Sequence, residues 1–346
     1  MKYHLYYFSA TGNTAHSAEL IGSALTREGH EVQTVSLNTK TRPLTEAPDR
    51  IVIAFPVLSA RPPGLVMRFI DKLPRPAHSG AVKAAVLAVS GGGPFNAAGT
   101  AAQRLKRRGY DVFLASGISY PENWSQIVEP PEEKECRIKT DNGISETGEF
   151  IRNLISEKPQ SDRRTVPAFF MNMAGVLFQF IGRRFLGKLF IADNDCTSCG
   201  LCKRTCPAGV ISMKKHSKPY WNFSCENCNR CINICPEKAI NTSTGRLIFF
   251  ITAVGTLLVT GIILYSRIIR PLYSGFPQAA ETAVNIIGYG TVVVLAHILS
   301  LTLLDKFLIT PLQRLGFVPR FFQNSYTKTF RRYTFKGYKP PVENIT

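Results

Sequence analysis

Eight of the nine cysteines fall between Cys196 and Cys235, a density that marks a site. They read CTSCGLCKRTCP from Cys196 and CENCNRCINICP from Cys225, and both strings are Cys-x2-Cys-x2-Cys-x3-Cys-Pro. Cys196 and Cys225, Cys206 and Cys235, Pro207 and Pro236, and Ile211 and Ile240 each lie 29 residues apart, so the block is an internal duplication. Three closely spaced thiolates bind three irons of a cubane, while the fourth, turned away by its Pro, ligates the other cluster. On that rule Cys196, Cys199, Cys202 and Cys235 take one 4Fe-4S cluster, and Cys225, Cys228, Cys231 and Cys206 take the second. Zinc is the competing chemistry, since tetrahedral sites also use Cys-x2-Cys pairs. Zinc ribbons offer two pairs, however, not two triplets each with a distant fourth Cys and a Pro. With sulfur at all eight positions and no His among them, the expected chemistry is outer-sphere one-electron transfer. Lys203, Arg204, Lys214, Lys215, Lys218 and Arg230 surround the motifs and are expected mostly as solvated surface. Cys136 lies outside the block and is expected to be a free thiol without a role.

A second constellation is Ser9-Ala10-Thr11-Gly12-Asn13-Thr14, between an apolar strand-like run and a helix-like stretch. Hydroxyls, an amide and successive backbone N–H groups at a helix start form a neutral nest for a phosphate. Plain helix capping uses the same residue types. Neither Gly-x-x-x-x-Gly-Lys-Ser/Thr nor Gly-x-Gly-x-x-Gly occurs, which argues against an ATPase and a dinucleotide site and favours a monophosphate ester.

The elements that must position this loop alternate in a βαβ rhythm. Strand-like runs begin at Lys2, His30, Arg50 and Ala85; helix-like stretches cover Thr14 to Glu28, Gly64 to Leu73, Ala97 to Arg108 and, more loosely, Glu132 to Ser156. This predicts an α/β doubly wound domain with a parallel sheet, whose ligands sit at the carboxyl ends of the strands.

YYFSATGNT resembles the phosphate loop of flavodoxins, and the resemblance continues through FPV at Phe55, SGGGPFNAAG from Ser90 and YPENW from Tyr120, covering most of residues 1 to 150. It implies FMN, with its phosphate at Ser9, Thr11, Gly12, Asn13 and Thr14. The ring would lie between Pro56, Val57 and Leu58, in a stretch running to Arg61, and Gly91, Gly92, Gly93, Phe95 and Asn96. Leu58 stands where related proteins often carry an aromatic, so the stacking partner falls to Phe95, Tyr120 or Trp124. The cysteine block resembles bacterial two-cluster 4Fe-4S ferredoxins, a small α+β fold. Together with KPYW at Lys218 to Trp221, the two halves resemble the flavodoxin-ferredoxin fusion proteins of anaerobic bacteria and archaea through about residue 245.

Charge and hydropathy place the rest. Lys and Arg outnumber Asp and Glu 42 to 24, yet the first 150 residues are nearly balanced at 17 against 15, and the last 101 carry 11 against 3. Beside long apolar runs that excess suits a membrane surface better than nucleic acid. Val166 to Gly182 is apolar but broken by Pro167, Asn172 and Gln179, and reads as an amphipathic connecting helix. Leu247 to Tyr265, without a charge, and Ala283 to Leu304, closed by Asp305 and Lys306, read as two transmembrane helices. His297 inside the second has no histidine partner for haem and is expected in a helix contact. The tail from Lys306 to Lys339 holds eight basic residues and no acid. Positive-inside therefore puts tail and redox domains on the cytoplasmic side of the cytoplasmic membrane. The chain begins without a secretory-signal pattern, and its amino-terminal part is expected in the cytoplasm, where thiols stay reduced. Phe321, Phe322, Tyr326, Phe330, Tyr333 and Phe335, interleaved with cations, are expected to anchor at the lipid interface.

The expected organisation is residues 1–157 for the FMN domain, 158–190 for the connecting helix, 191–245 for the ferredoxin domain, 246–305 for the transmembrane hairpin and 306–346 for the tail. The expected partners are membrane lipid and a redox protein or quinone, with no nucleic acid. An electron carrier is favoured over a flavin-dependent reductase of a quinone or small acceptor, and over a non-catalytic redox sensor or assembly factor.

Overall fold

The structure is a computed structural model and describes residues 1–93, 95–161, 174–213, 218–309, 311 and 318–342. Its amino-terminal half is one parallel sheet with helices on both faces. The strands are β1 (Lys2–Tyr7), β2 (Glu31–Ser36), β3 (Arg50–Pro56), β4 (Lys83–Ser90), β5 (Asp111–Ser119) and the short β6 (Gln160–Ser161), in spatial order 2-1-3-4-5-6. That is the flavodoxin-like order, which reverses between β1 and β3 and leaves a crevice there. Alternation along each strand supplies the two faces. Ile51, Ile53 and Phe55 pack under α2 (Gly64–Lys72) and α3 (Ala97–Arg107). Val52 and Ala54 pack under α1 (Asn13–Arg27) and α4 (Glu133–Ile155). The sequence reading missed β5, although Val112-Phe113-Leu114-Ala115 is a strand-like run, and it ended the domain at 157, before β6.

From Ala174 the chain is helical through a π turn (Phe178–Gly182) into α5 (Arg183–Leu189), so this part of the expected connecting helix is present. Its earlier part, 166–173, lies outside the described residues. The cysteine module follows, with β7 (Phe190–Ala192) paired antiparallel to β10 (Ile240–Thr242) and β8 (Ile211–Ser212) to β9 (Tyr220–Trp221). Helices α6 (Leu201–Arg204) and α7 (Arg230–Ile234) each carry the third Cys of a triplet, Cys202 and Cys231.

Beyond the module stand two candidate membrane-spanning helical stretches, Thr244–Tyr273 and Gln278–Ile309, long and apolar enough to cross a bilayer. Their α-helical parts are α8 (Thr244–Leu264) and α9 (Gln278–Leu299). The second stretch does not end at Asp305. It runs on as π helix to Ile309, and the Asp305 carboxylate is fully buried. Lys188 Nζ and the Tyr220 hydroxyl donate to Asp305 Oδ2 at 2.7 and 2.6 Å, and Arg246 lies 3.3 Å from Oδ1. A carboxylate after an apolar run therefore closes a buried ion network, not a helix end. Burial pushes the Lys188 ammonium below its usual value and Asp305 opposes that shift. Above this network α5 packs on the helical pair, with Phe185 stacked on His297 at 6.5 Å.

Asp305→Ala leaves two buried cations without their carboxylate. It is expected to destabilise the detergent-solubilised protein by about 3–5 kcal/mol, read as a lower thermal midpoint. Adding Lys188→Met should recover part of the loss. An Asp305→Ala protein that melts with the wild type would show that the network holds nothing together.

Candidate functional site

The duplicated cysteine loops have the same backbone shape. Ser198 and Asn227, Gly200 and Asn229, and Gly209 and Lys238, each pair 29 residues apart, all have φ between 49° and 74°. Such left-handed positions are uncommon outside Gly, and their recurrence means that each loop curls round its contents in the same way. Cys196, Cys199, Cys202 and Cys235 line one small cavity, closed by Met213, Pro219, Pro236 and Ile240. Burial and the negative charge of those three neighbouring sulfurs push the Cys202 thiol up to about 12. In the second set, burial and the charges on Cys228 and Cys206 raise Cys225, while Cys228 is pushed up to about 11 by burial. Burial raises Cys231 well above its usual value, and the charges of Cys225, Cys228 and Cys202 add to the shift. Buried thiols this close ionise together only around a compensating cation. Four cysteines round one small cavity suit a cluster in which each Cys meets a different iron.

At the carboxyl ends of β1, β3 and β4 lies a cavity of about 380 Å³. Ser9 and Thr11 line it from the loop before α1, and Asn13 and Thr14 from the first turn of that helix. Pro56, Val57, Leu58, Ser59 and Ala60 form one wall, with Gly91, Gly92, Gly93 and Phe95 on the next. Gly12 and Asn96, both anticipated in the site, do not line it. Gly12 turns outward with φ of 112°, and Asn96 precedes α3. Arg61 does not line it either, and Pro94 lies outside the described residues. Of the three aromatics considered for stacking, Phe95 and Trp124 face the cavity. Tyr120 is buried beneath it, its hydroxyl accepting from Ser17 Oγ at 3.3 Å. Pocket size and lining, mostly apolar with converging hydroxyls, suit a small ligand with a phosphate end.

The sequence reading missed the remaining wall. Ala174, Gly175 and Phe178 close it from the connecting helix, and Asn227, Cys228 and Asn229 close it from the second cysteine loop. The cavity and the second cysteine set thus share Cys228. A buried polar seam fixes this contact. Trp124 Nε1 donates to Asn227 Oδ1 at 3.1 Å, Ser125 Oγ to Asn233 Oδ1 at 2.6 Å, and Gln126 N to Asn229 Oδ1 at 3.2 Å. Glu226, 2 % exposed, takes Arg68 of α2 at 2.6 Å and Arg183 of α5 at 3.1 Å.

The tail is the larger correction. Its aromatics were expected in lipid, yet residues 325–338 run back over the redox domains. Tyr333 donates to Asn13 Oδ1 at 2.7 Å, Tyr338 to the Ser9 carbonyl at 3.2 Å, and Phe335 N to the Thr11 carbonyl at 2.7 Å. Tyr326 donates to the Gln126 carbonyl at 2.8 Å, and Lys328 pairs with Asp193 and Asp195. Alternating aromatics and cations suit a lipid headgroup layer and a polar protein groove equally; here Tyr333, Phe335 and Tyr338 lie against the loop at Ser9–Asn13, while Phe321 and Tyr326 stay exposed. Arg230, expected on the surface, is 2 % exposed, whereas Lys203, Arg204 and Lys218 are exposed; Lys214 and Lys215 lie outside the described residues. Cys136 is half-buried, donating to the Pro131 carbonyl.

The 4Fe-4S dicluster domain family matches residues 195–240. A component of an ion-translocating oxidoreductase complex from Methanosarcina acetivorans is 34% identical over 50 residues, 14% of this chain and 19% of that protein. An uncharacterised protein of Methanocaldococcus jannaschii is 29% identical over 80 residues, 22% of this chain and 31% of that protein. The chain thus spans a third or less of the length of these relatives. Among solved structures, flavodoxin 1 from Bacillus cereus has a TM-score of 0.31 at 18% identity and covers 44% of this chain and 98% of its own. A flavodoxin from the domain Archaea has 0.29 at 20%, covering 43% and 99%. The chain joins an α/β domain of flavodoxin-like strand order to a 4Fe-4S domain.

A Cβ on Gly12 would lie 2.5 Å from Phe335 Cβ, in addition to its positive φ. Gly12→Ala is expected to cost about 1–3 kcal/mol in backbone strain and to lift the tail. Trypsin should then cleave after Arg331, Arg332 and Lys336 faster than in the wild type. An unchanged digestion rate would mean that the tail does not lie on this loop.

Proposed function

We propose that the protein is a membrane-anchored electron carrier that holds FMN in the cavity and a 4Fe-4S cluster in each cysteine set, and exchanges electrons with a membrane-associated redox protein or quinone. The reading rests on one observation above all: Cys228 is at once a wall of the cavity and a member of the second cysteine set. When bound, the flavin would supply one- and two-electron chemistry and each cluster one-electron chemistry. Ser9, Thr11, Asn13 and Thr14 would hold the phosphate, and the two loops at Pro56–Ala60 and Gly91–Phe95 would flank the ring with Trp124. The Glu122 carboxylate, also in the wall, accepts from the N–H groups of Asn123 and Trp124 at 2.8 and 2.9 Å, which holds this loop in place.

On this reading electrons pass from the cavity to the second cysteine set, then to the first and the surface. Cys199 of the first set is exposed and would be the point of exchange with a partner. Membrane attachment is supported by the hairpin, whose outward residues include Ile251, Val259, Ile286 and Ile287. Its two ends are tied together, since Arg246 near the start of the first stretch lies 3.3 Å from Asp305 Oδ1 near the end of the second. Both ends therefore lie with the redox domains, and the charge pattern favours the cytoplasmic side. The name of one relative, which places it in an ion-translocating oxidoreductase complex, accords with a redox partner there.

Anaerobic purification from solubilised membranes should yield about one FMN and about eight irons per chain, with flavin absorbance and cluster EPR changing together on stepwise reduction. Cys228→Ala and Cys202→Ala should each remove about half the iron, and only Cys228→Ala should uncouple the flavin from the remaining cluster. Zinc in place of iron, or no flavin in the wild type, would overturn the assignment.

A further inference from the structure

We infer that Arg230 is a positioning residue that makes flavin binding and assembly of the second cluster mutually dependent, an inference that rests on the assignment of those two sites above. Arg230 lies between Cys228 and Cys231, in the run that supplies three members of the second set. Its side chain is 2 % exposed and crosses to the other domain. Nη2 donates to the Ser9 carbonyl at 2.6 Å and Nε to the Ala10 carbonyl at 3.2 Å, both in the phosphate loop. Nη1 donates to the carbonyl of Thr205, the residue before Cys206. One rigid plane of donors thus holds the loop of one site and both cysteine runs of the other.

The geometry gives the contact a direction. In a trans peptide, C=O and the next N–H point opposite ways. Drawing the Ser9 and Ala10 carbonyls toward the guanidinium turns the N–H groups of Ala10 and Thr11 away from it, and Ala10 and Thr11 line the cavity. A guanidinium has its five N–H donors in a fixed fork, so its acceptors on one domain constrain those on the other. A filled cysteine set fixes the backbone on either side of Arg230, and a fixed Arg230 presents the loop to a phosphate. Equilibrium coupling of this kind is reciprocal: whatever factor the cluster adds to flavin affinity, the flavin adds to cluster retention.

The test uses the full chain in detergent, with its flavin removed. FMN is titrated by quenching of its fluorescence, first with clusters intact and then after iron is stripped by a chelator. In the wild type, stripping iron should weaken FMN binding on the order of ten-fold, and added FMN should slow iron loss to the chelator. In Arg230→Gln both dependences should vanish, with FMN binding equally weak with and without iron; Arg230→Lys, which keeps the charge but not the fork, should restore only part. Equal FMN affinity in wild type before and after stripping would overturn the inference. So would a full loss on stripping in Arg230→Gln, which would trace the effect to collapse of the wall at Asn227 to Asn229. A wild type that holds no flavin or no iron would instead refute the proposed function itself.

Discussion

Polar groups taken out of water cost about 1–3 kcal/mol each when left without partners, and the seam between the α/β domain and the cysteine module is built from such groups. Glu226 sits between Arg68 and Arg183, and Asn227, Asn229 and Asn233 meet Trp124, Gln126 and Ser125. An apolar seam tolerates sliding, because one methyl replaces another at little cost. A seam of directed hydrogen bonds does not, since a shift of an ångström breaks several at once. The seam holds Asn227, Cys228 and Asn229 in the cavity wall, so the register between the two units sets that side of the cavity.

The same device recurs where the module meets the hairpin. Lys188 from α5, Tyr220 from β9, Arg246 from α8 and Asp305 from the far end of the second helical stretch share one buried network. Four elements well separated in sequence are thereby held at one point. Apolar contacts around Leu189, Phe250, Leu301, Ile309 and Phe322 fill the space beside it. The helices are thus joined to the redox module by a rigid fitting instead of a flexible linker.

Local chemistry was legible in the sequence and docking was not. Cluster ligation needs Cys at fixed spacings, so the 29-residue duplication shows in one dimension, and a βαβ rhythm follows from the periods of strand and helix. The loop before α1 was read from its hydroxyls, but nothing in it announced the 112° φ of Gly12 or Phe335 packed where a side chain there would stand. The walls contributed by Ala174, Phe178 and Cys228 leave no pattern, because contacts between domains carry no period. Arg230 and Asp305 misled for one reason: a charge is read as solvated until the structure supplies its buried partners. The tail misled for another, since the same composition suits two surfaces.

The closure of the phosphate loop by residues 333–338 bears on how the molecule is made. These residues are made after both apolar helices, so the loop goes without this cover until they have been synthesised and have come back to the first domain. The amino-terminal domain is thereby finished by a segment from the far side of the helical pair, and its last contacts form across almost the whole length of the chain.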